Sequence, residues 1–225
     1  MSILDTFIGK LAPHECLGCG AEGDLLCVAC AETLTPVAER CYLCQAKMNK
    51  SLTCAMCRAA SPLHSVHVAT VYGNLAKSLV WKLKLAGAQS AARIMARHMA
   101  GLIGSLPGRP IIVPVPTATG RVRQRGYDQA KLLARELSRQ TRLPYSNCLA
   151  RSGQTHQHGL PRRERLTQLE TAFHVNKASA IRKSSVILVD DVVTTGATLE
   201  AAAKVLRAAG ADRIEAIIFA RPQNP

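Results

Sequence analysis

Two groups of residues in this sequence are spaced for chemistry. The first is Val186-Ile187-Leu188-Val189-Asp190-Asp191-Val192-Val193-Thr194-Thr195-Gly196-Ala197-Thr198. It opens as a short, continuous apolar run rich in β-branched residues, the pattern of a buried parallel strand. Two carboxylates stand at the strand's C-terminal end, a Thr/Gly loop follows, and the spacing then predicts a helix over 199–209. In open α/β sheets, ligands bind beyond the carboxyl ends of the strands. Backbone N–H groups at a helix start bind phosphate, and Gly196 lets the backbone approach a ligand closely. An ionised carboxylate is purely an acceptor, which suits sugar hydroxyls. Strand, acid pair, loop and helix together describe a site for a phosphorylated ribose; the competing reading is a strand that ends in a solvated turn.

The second group is eight cysteines in four Cys-x-x-Cys pairs: Cys16/Cys19, Cys27/Cys30, Cys41/Cys44 and Cys54/Cys57. Zn²⁺ takes four thiolates in a tetrahedron, and each pair supplies two of them from one tight turn. Four such pairs within 42 residues predict zinc. The simplest pairing is sequential, with Cys16, Cys19, Cys27 and Cys30 on one ion and Cys41, Cys44, Cys54 and Cys57 on a second. Spacing also allows a cross-braced pairing of alternate turns. Four-sulfur sites are closed, so both zincs are expected to be structural. Disulfides, a thiol redox centre and an iron–sulfur cluster are the competing readings, and paired turns suit zinc better. His14 beside Cys16 reads as a surface residue, because four cysteines already complete a site. The segment has few large apolar residues and so depends on metal to fold.

These groups need a scaffold. Val66, Val68 and Val71 mark a strand over 64–72, and Gly73-Asn74 a turn. Leu75, Leu79 and Leu83 recur every four residues and predict a helix over 75–85, with Lys77, Lys82 and Lys84 on its other faces. A second helix is expected over 91–103, a strand over 111–116 leading into Thr117-Ala118-Thr119-Gly120, a helix over 129–140, and a final strand over 213–220. Residues 149–173 form a long polar insertion, of the kind that is functional or mobile. Strands near 111–115, 186–189 and 213–220 with helices between them give an α/β sheet of β-α-β units. Trp81 reads as a packing residue in preference to a base-stacking one. Cys148, unpaired, reads as a small buried apolar residue. The expected organisation is a double zinc-ribbon-like domain over 1–60 and an α/β domain over 61–225.

Charge is unevenly distributed. The chain has 225 residues, 48% of them apolar, and a formal net charge of +14. Residues 1–60 hold five Lys/Arg and six Asp/Glu, so the whole positive excess lies further on. It is densest over 121–165, where eleven Lys/Arg face three acids. Such a stripe fits nucleic acid or a diphosphate-bearing substrate; a solvated face is the third reading. No stretch reaches the about 18 consecutive apolar residues of a membrane-spanning helix. Residues 1–11 hold one cation, Lys10, and no long apolar core, unlike a secretory signal. The expected compartment is therefore the cytoplasm, where disulfides are rare.

The strand–acid–acid–loop stretch resembles the PRPP-binding motif of type I phosphoribosyltransferases. The resemblance implies that Asp190 and Asp191 hold the ribose 2′- and 3′-hydroxyls. It implies that Thr194, Thr195, Gly196, Ala197 and Thr198 cradle the 5′-phosphate, and that Thr117, Ala118 and Thr119 lie in the loop that holds the pyrophosphate. Mg²⁺ would accompany the substrate. The order of cysteine pairs, Leu83-Lys84-Leu85, Val113-Pro114-Val115-Pro116, Arg123-x-Arg125-Gly126-Tyr127-Asp128-Gln129-Ala130 and Asp190-Asp191 is similar to that of the ComF family. These are competence-associated, phosphoribosyltransferase-like proteins that include GntX. The implied fold is a type I phosphoribosyltransferase-like parallel sheet flanked by helices, with a small N-terminal Cys-rich zinc-ribbon domain.

Asp128 stands where the family usually has Asn, Pro161 replaces a frequent Ser, and Gln168 a usual Asn. The insertion over 149–173 falls where phosphoribosyltransferases carry a hood and a flexible loop. Gln157, Gly159, Leu160, Arg165, Ala172 and Phe173 match the family there. Arg165 reads as an anion contact in catalysis; His156 and His158 read as general acids or, more simply, as solvated. The resemblance implies phosphoribosyl transfer from Mg–PRPP to an unknown acceptor, with release of pyrophosphate, in DNA uptake and natural transformation. The rival is a non-catalytic protein of the same machinery that binds single-stranded DNA or senses PRPP. Partners on either view are PRPP, single-stranded DNA and other DNA-uptake or recombination proteins. Four Tyr, one Trp and three Phe offer few stacking platforms, so DNA contact would rest on charge.

Overall fold

The computed structural model describes residues 14–38, 40–48, 53–85, 88–103, 109–152 and 172–223. Strands β1 (His14–Glu15) and β2 (Glu22–Gly23) pair antiparallel ahead of helix α1 (Val28–Glu32), and helix α2 (Ala55–Ala60) closes the cysteine segment. Then follow β3 (Ser65–Val71), α3 (Asn74–Lys84), α4 (Ala88–Ala100), β4 (Ile111–Pro114), α5 (Thr119–Arg125) and α6 (Gln129–Thr141). A hairpin of β5 (Leu149–Arg151) and β6 (Phe173–Val175) precedes β7 (Ser185–Val192), α7 (Ala197–Ala208) and β8 (Arg213–Arg221). The main sheet has four strands in the order β3-β8-β7-β4, all parallel and flanked by helices.

Both faces of the sheet are buried, which is why β7 reads as an unbroken apolar run. Successive side chains of a strand point to opposite faces. Val186 and Leu188 accordingly join one core with Leu199, Ala202 and Leu206 of α7. Ile187 and Val189 join the other with Leu79, Met95, Leu133 and Leu137 of α3, α4 and α6. The crossover helices place the carboxyl ends of all four strands at one rim.

The cysteine segment wraps the β3 edge. Val71 N–H and Thr70 Oγ1 both donate to Thr35 O, at 2.8 and 2.9 Å. Ahead of that seam, Cys16, Leu25 and Leu26 enter the core under α3 and α4. Beyond it, Val37 and Tyr42 pack into the core under α7. An edge strand left open invites pairing with another chain, and here the edge is covered. At the opposite edge Ile112 N–H donates to Pro144 O and Ser146 N–H to Ile112 O, which covers β4.

Four features depart from the sequence expectations. Strand β7 runs past both acids to Val192. Residues 119–125, expected as loop, form α5, ended by Gly126 in the left-handed region at φ 80°. The insertion begins and ends in the β5–β6 hairpin. Trp81 does not pack between elements. It is 57% exposed, because the buried stripe of α3 is Ala76, Leu79, Val80 and Leu83, and Trp81 projects from the opposite face. Arg165, His156, Gln157, His158, Gly159, Leu160, Pro161 and Gln168 lie outside the described residues, as does the 1–13 stretch. Among the described residues no helix is long and apolar enough to cross a membrane.

Candidate functional site

Asp190 and Asp191 lie in the last residues of β7, on opposite pleats. Asp191 is 5% exposed and turns toward α3, where its Oδ2 pairs with Lys84 Nζ at 2.8 Å. Each carboxylate also takes the next backbone N–H, Asp191 N–H onto Asp190 Oδ1 at 2.8 Å and Val192 N–H onto Asp191 Oδ1 at 2.9 Å. Burial, and then the Asp191 charge beside it, push the Asp190 carboxyl well above the ordinary carboxylate range. Both acids line a cleft of about 370 Å³ with Lys84, Thr117, Ala118, Arg121, Gln129, Arg151, Thr194 and Thr198. Its polar wall therefore sets three cationic side chains facing two acids. Thr194 and Thr195 are exposed at the turn into α7, and Gly196 holds φ 78° at the helix start. The first N–H groups of a helix have no partner within it, which leaves such a turn ready for an anion.

The opposite wall is set by the run from Arg125 to Gln129. Tyr127 Oη donates to Leu83 O at 2.7 Å and Leu85 O at 2.9 Å, so it fixes the end of α3 that carries Lys84. Asp128 caps α6 by accepting from the N–H groups of Ala130 (3.0 Å) and Lys131 (3.2 Å). It also accepts Thr117 Oγ1 at 3.0 Å and Thr117 N–H at 3.3 Å, the latter on its second oxygen. All four contacts ask for an acceptor. An Asn would turn an NH₂ toward one donor or another, so the carboxylate here ties the Thr117 turn to α6 more completely. Arg125 donates to the Gln129 side chain at 2.8 Å and closes the corner.

The cysteines gather in the sequential pairing. The sulfurs of Cys16, Cys19, Cys27 and Cys30 lie within 4.8 Å of one another, and so do those of Cys41, Cys44, Cys54 and Cys57. A tetrahedron with Zn–S of about 2.3 Å has edges of about 3.8 Å. Cys19 to Cys27 measures 3.8 Å and Cys44 to Cys54 3.6 Å, so both cages fit zinc. Backbone N–H groups point at the sulfurs in the same way twice, from Cys27 onto Cys16 at 3.4 Å and from Cys54 onto Cys41 at 3.5 Å. The N–H groups of Cys27, Cys19 and Gly18 draw the Cys16 thiol down to about 6. At Cys41 burial opposes ionisation, but the N–H groups of Cys44, Cys54 and Leu43 outweigh it and leave the thiol at about 6. Hydrogen bonding to Cys27, then to Cys16, pushes Cys30 up to about 12. His14 takes no part in either cage; its Nε2 meets Ser90 Oγ at 2.9 Å.

Comparison with known proteins places this geometry. The family model described as the phosphoribosyl transferase domain matches residues 87–224, more than half of the chain. The chain is 39% identical over 117 residues to Competence protein F of Haemophilus influenzae, a match spanning 49% of each chain. It is 26% identical over 197 residues to Competence protein ComFC of Bacillus subtilis, covering 77% of this chain and 80% of that one. It is 30% identical over 204 residues to DNA utilization protein YhgH of Salmonella typhimurium, covering 84% and 87%. The chain belongs to the ComF family. The match to the Haemophilus protein spans only about half of that relative's length. In this ComF-family chain the matched region holds Asp190, Asp191, both turns and the Arg125–Gln129 corner, while both cysteine cages lie ahead of it.

Four residues at the cleft were not singled out from the sequence as site residues. Lys84 was read only as an off-stripe lysine of its helix, although Leu83-Lys84-Leu85 was among the family-like motifs. Arg121 and Arg151 were visible only as part of a basic stretch, and Gln129 only as a helix start and a member of the family-like Arg125–Ala130 motif. Thr119, expected in the pyrophosphate turn, sits in the first turn of α5.

Proposed function

We propose that this protein binds Mg–PRPP in the cleft at the carboxyl end of β7 and transfers its phosphoribosyl group to an acceptor with release of pyrophosphate. The observation that carries this reading is the meeting, in one cleft, of an acid pair, Thr194 and Thr198 at the turn into α7, and the cations Lys84, Arg121 and Arg151. Asp190 and Asp191 accept hydrogen bonds from the ribose 2′- and 3′-hydroxyls. N–H groups and hydroxyls over 194–198 hold the 5′-phosphate. The turn at Thr117 and Ala118, with Thr119 at the start of α5, receives the pyrophosphate, and Arg121 and Arg151 stabilise its charge as the C1–O bond breaks. Mg²⁺, bound mainly through substrate oxygens and water, would neutralise part of that charge. Arg165, outside the described residues, is given the role of an anion contact to the diphosphate. Zn²⁺ in each cysteine cage is structural, over a domain of 1–60 set against the transferase domain of 61–225. The names of the relatives, competence protein and DNA utilization protein, support a role in DNA uptake or use; we place that role in the cytoplasm, with DNA-handling proteins as partners. Calorimetric titration of Mg–PRPP into the zinc-loaded protein is expected to give one saturable site per chain. A folded protein that takes up no PRPP would end this reading. Release of pyrophosphate on adding candidate acceptors, single-stranded DNA among them, then separates transfer from mere sensing.

One observation favours a second reading, a single-stranded DNA contact. Trp81 is exposed on the same helix face as Lys77, and the Lys82 ammonium lies 5.8 Å from its ring centroid. Bases stack on such a platform while cations follow the backbone. Trp81 is the sole tryptophan, so its fluorescence reports the contact directly. Oligothymidylate is expected to quench it, and Trp81→Ala to weaken binding about tenfold. Unquenched fluorescence under saturating DNA would rule this platform out.

A further inference from the structure

We propose that Tyr42 is the positioning residue of the phosphate-binding turn, and that through it the metal in the second cysteine cage and the ligand in the cleft reinforce each other. This rests on the reading of 194–198 as the 5′-phosphate site. Tyr42 lies inside the Cys41-x-x-Cys44 turn, so its backbone is fixed from both sides by cage ligands. Its side chain leaves the cage and is 2% exposed. The ring lies against Gly196: a Cβ on that residue would fall 2.5 Å from Tyr42 Cε2 and 2.8 Å from Cδ2. Gly196 also holds φ 78°. Glycine is therefore required twice over, for a conformation that side chains avoid and for the space the ring occupies.

Four further contacts lock the arrangement. Tyr42 Oη donates to Glu200 Oε1, one turn into α7, and Ser61 Oγ donates to the same oxygen at 2.6 Å. Ser61 in turn accepts Leu63 N–H at 3.0 Å, and Arg221 Nη2 donates to Tyr42 O at 3.3 Å. The ring thus backs the turn, and the hydroxyl holds the first turn of the helix whose N–H groups would face the phosphate. Among the described residues the first cage has no such tie. Cys16, Leu25 and Leu26 pack instead with α3 and α4, on the opposite face of the sheet. The two cages are therefore unequal: the second is mechanically joined to the turn and the first is not.

Linkage is reciprocal, so a metal that orders the turn is itself held more tightly when the turn is occupied. The test is pulsed alkylation of the zinc-loaded full chain in a chelator, resolved peptide by peptide, with and without saturating Mg–PRPP. Alkylation of Cys41, Cys44, Cys54 and Cys57 is expected to slow at least about fivefold with PRPP, while Cys16, Cys19, Cys27 and Cys30 are unaffected. Pyrophosphate alone, which lacks the 5′-phosphate, is expected to protect neither set. Tyr42→Ala is expected to erase the protection and lower PRPP affinity about tenfold, whereas Tyr42→Phe, which keeps the ring over Gly196, retains most of both. Equal protection of both cages, as general stabilisation would give, overturns the proposal, and so does protection of neither. Those outcomes use the wild type and stand even if Tyr42→Ala fails to fold. Calorimetry on the same sample separates the two failures: no PRPP binding removes the site itself, whereas binding without selective protection removes only the role of Tyr42.

Discussion

The Asp190→Asn/Asp191→Asn variant is expected to lose Mg–PRPP binding by about a hundredfold or more while keeping its fold and both zincs. Hydrogen bonds to a charged partner contribute about 1.5–3 kcal/mol each. Two such bonds to ribose hydroxyls therefore correspond to a factor of about a hundred at least. The carboxamides preserve shape and offer one acceptor each, so what is removed is charge and half of the accepting capacity. The Lys84 side chain, 28% exposed, keeps some contact with water when it loses its carboxylate partner at Asp191, which limits the structural penalty.

Stability supplies a second arm of this test. Burial and the neighbouring acid raise the Asp190 pKa in the fold, so the folded chain holds a proton there that the unfolded chain has lost. Between the ordinary carboxylate value and the raised one, stability falls as pH rises, because above the ordinary value the charged form of this buried group opposes folding. Asp190→Asn alone is thus expected to raise the melting temperature at pH 7 and to flatten its decline from pH 4 upward, while PRPP affinity drops. A single variant that binds PRPP like the wild type would remove Asp190 from the ribose site. A lower melting temperature would mean instead that the carboxylate is there for structure. A carboxyl that costs stability where it stands is the pattern of a group kept for function.

Much of this site was legible because its signals are local. The β7 run is apolar on both faces of the sheet, so it carried its own evidence of burial, and the acids at its end needed no distant partner to be noticed. The Cys-x-x-Cys spacing likewise implied the two cages, and the folded chain chooses between the sequential and cross-braced pairings that spacing left open. What the sequence hid was contact at long range. Tyr42 looks like a filler residue in a metal turn, yet its hydroxyl partner Glu200 lies 158 positions downstream. Lys84 looked like one of several solvated lysines until the end of α3 was seen beside β7. Trp81 is a different case: the 75, 79, 83 stripe already places residue 81 on the outer face of α3, so its exposure follows from helical period even though the side chain is hydrophobic. The helix α5 has no apolar stripe at all, and none of its residues is buried, so periodicity had nothing to detect.

Removing zinc is expected to lower the melting temperature of the whole chain, beyond any local loosening of the cysteine segment. The two cages sit at the ends of a strap that crosses the β3 edge and sends side chains into both cores. Without metal each cage is four thiols within 4.8 Å, with only backbone N–H groups beside the ionised ones. If the strap detaches, Leu25, Leu26 and Tyr42 leave the cores, at about 1.5–3 kcal/mol each. For a chain of this size about 1 kcal/mol shifts the melting temperature by about 2–4 °C, so a fall of about 10 °C or more is expected. Detachment also uncovers β3, and the metal-free protein should aggregate on heating where the loaded protein does not. Acid should act in the same direction. Thiols must give up protons to bind zinc, so affinity falls with pH, and it falls more steeply below about 6, where Cys16 and Cys41 also become protonated. The measurement is calorimetric melting of the loaded and chelated protein, with metal content determined on each sample. An unchanged melting temperature in a sample shown to hold no zinc would mean that the strap is fastened by its own packing. The cages would then have to be explained by something other than stability.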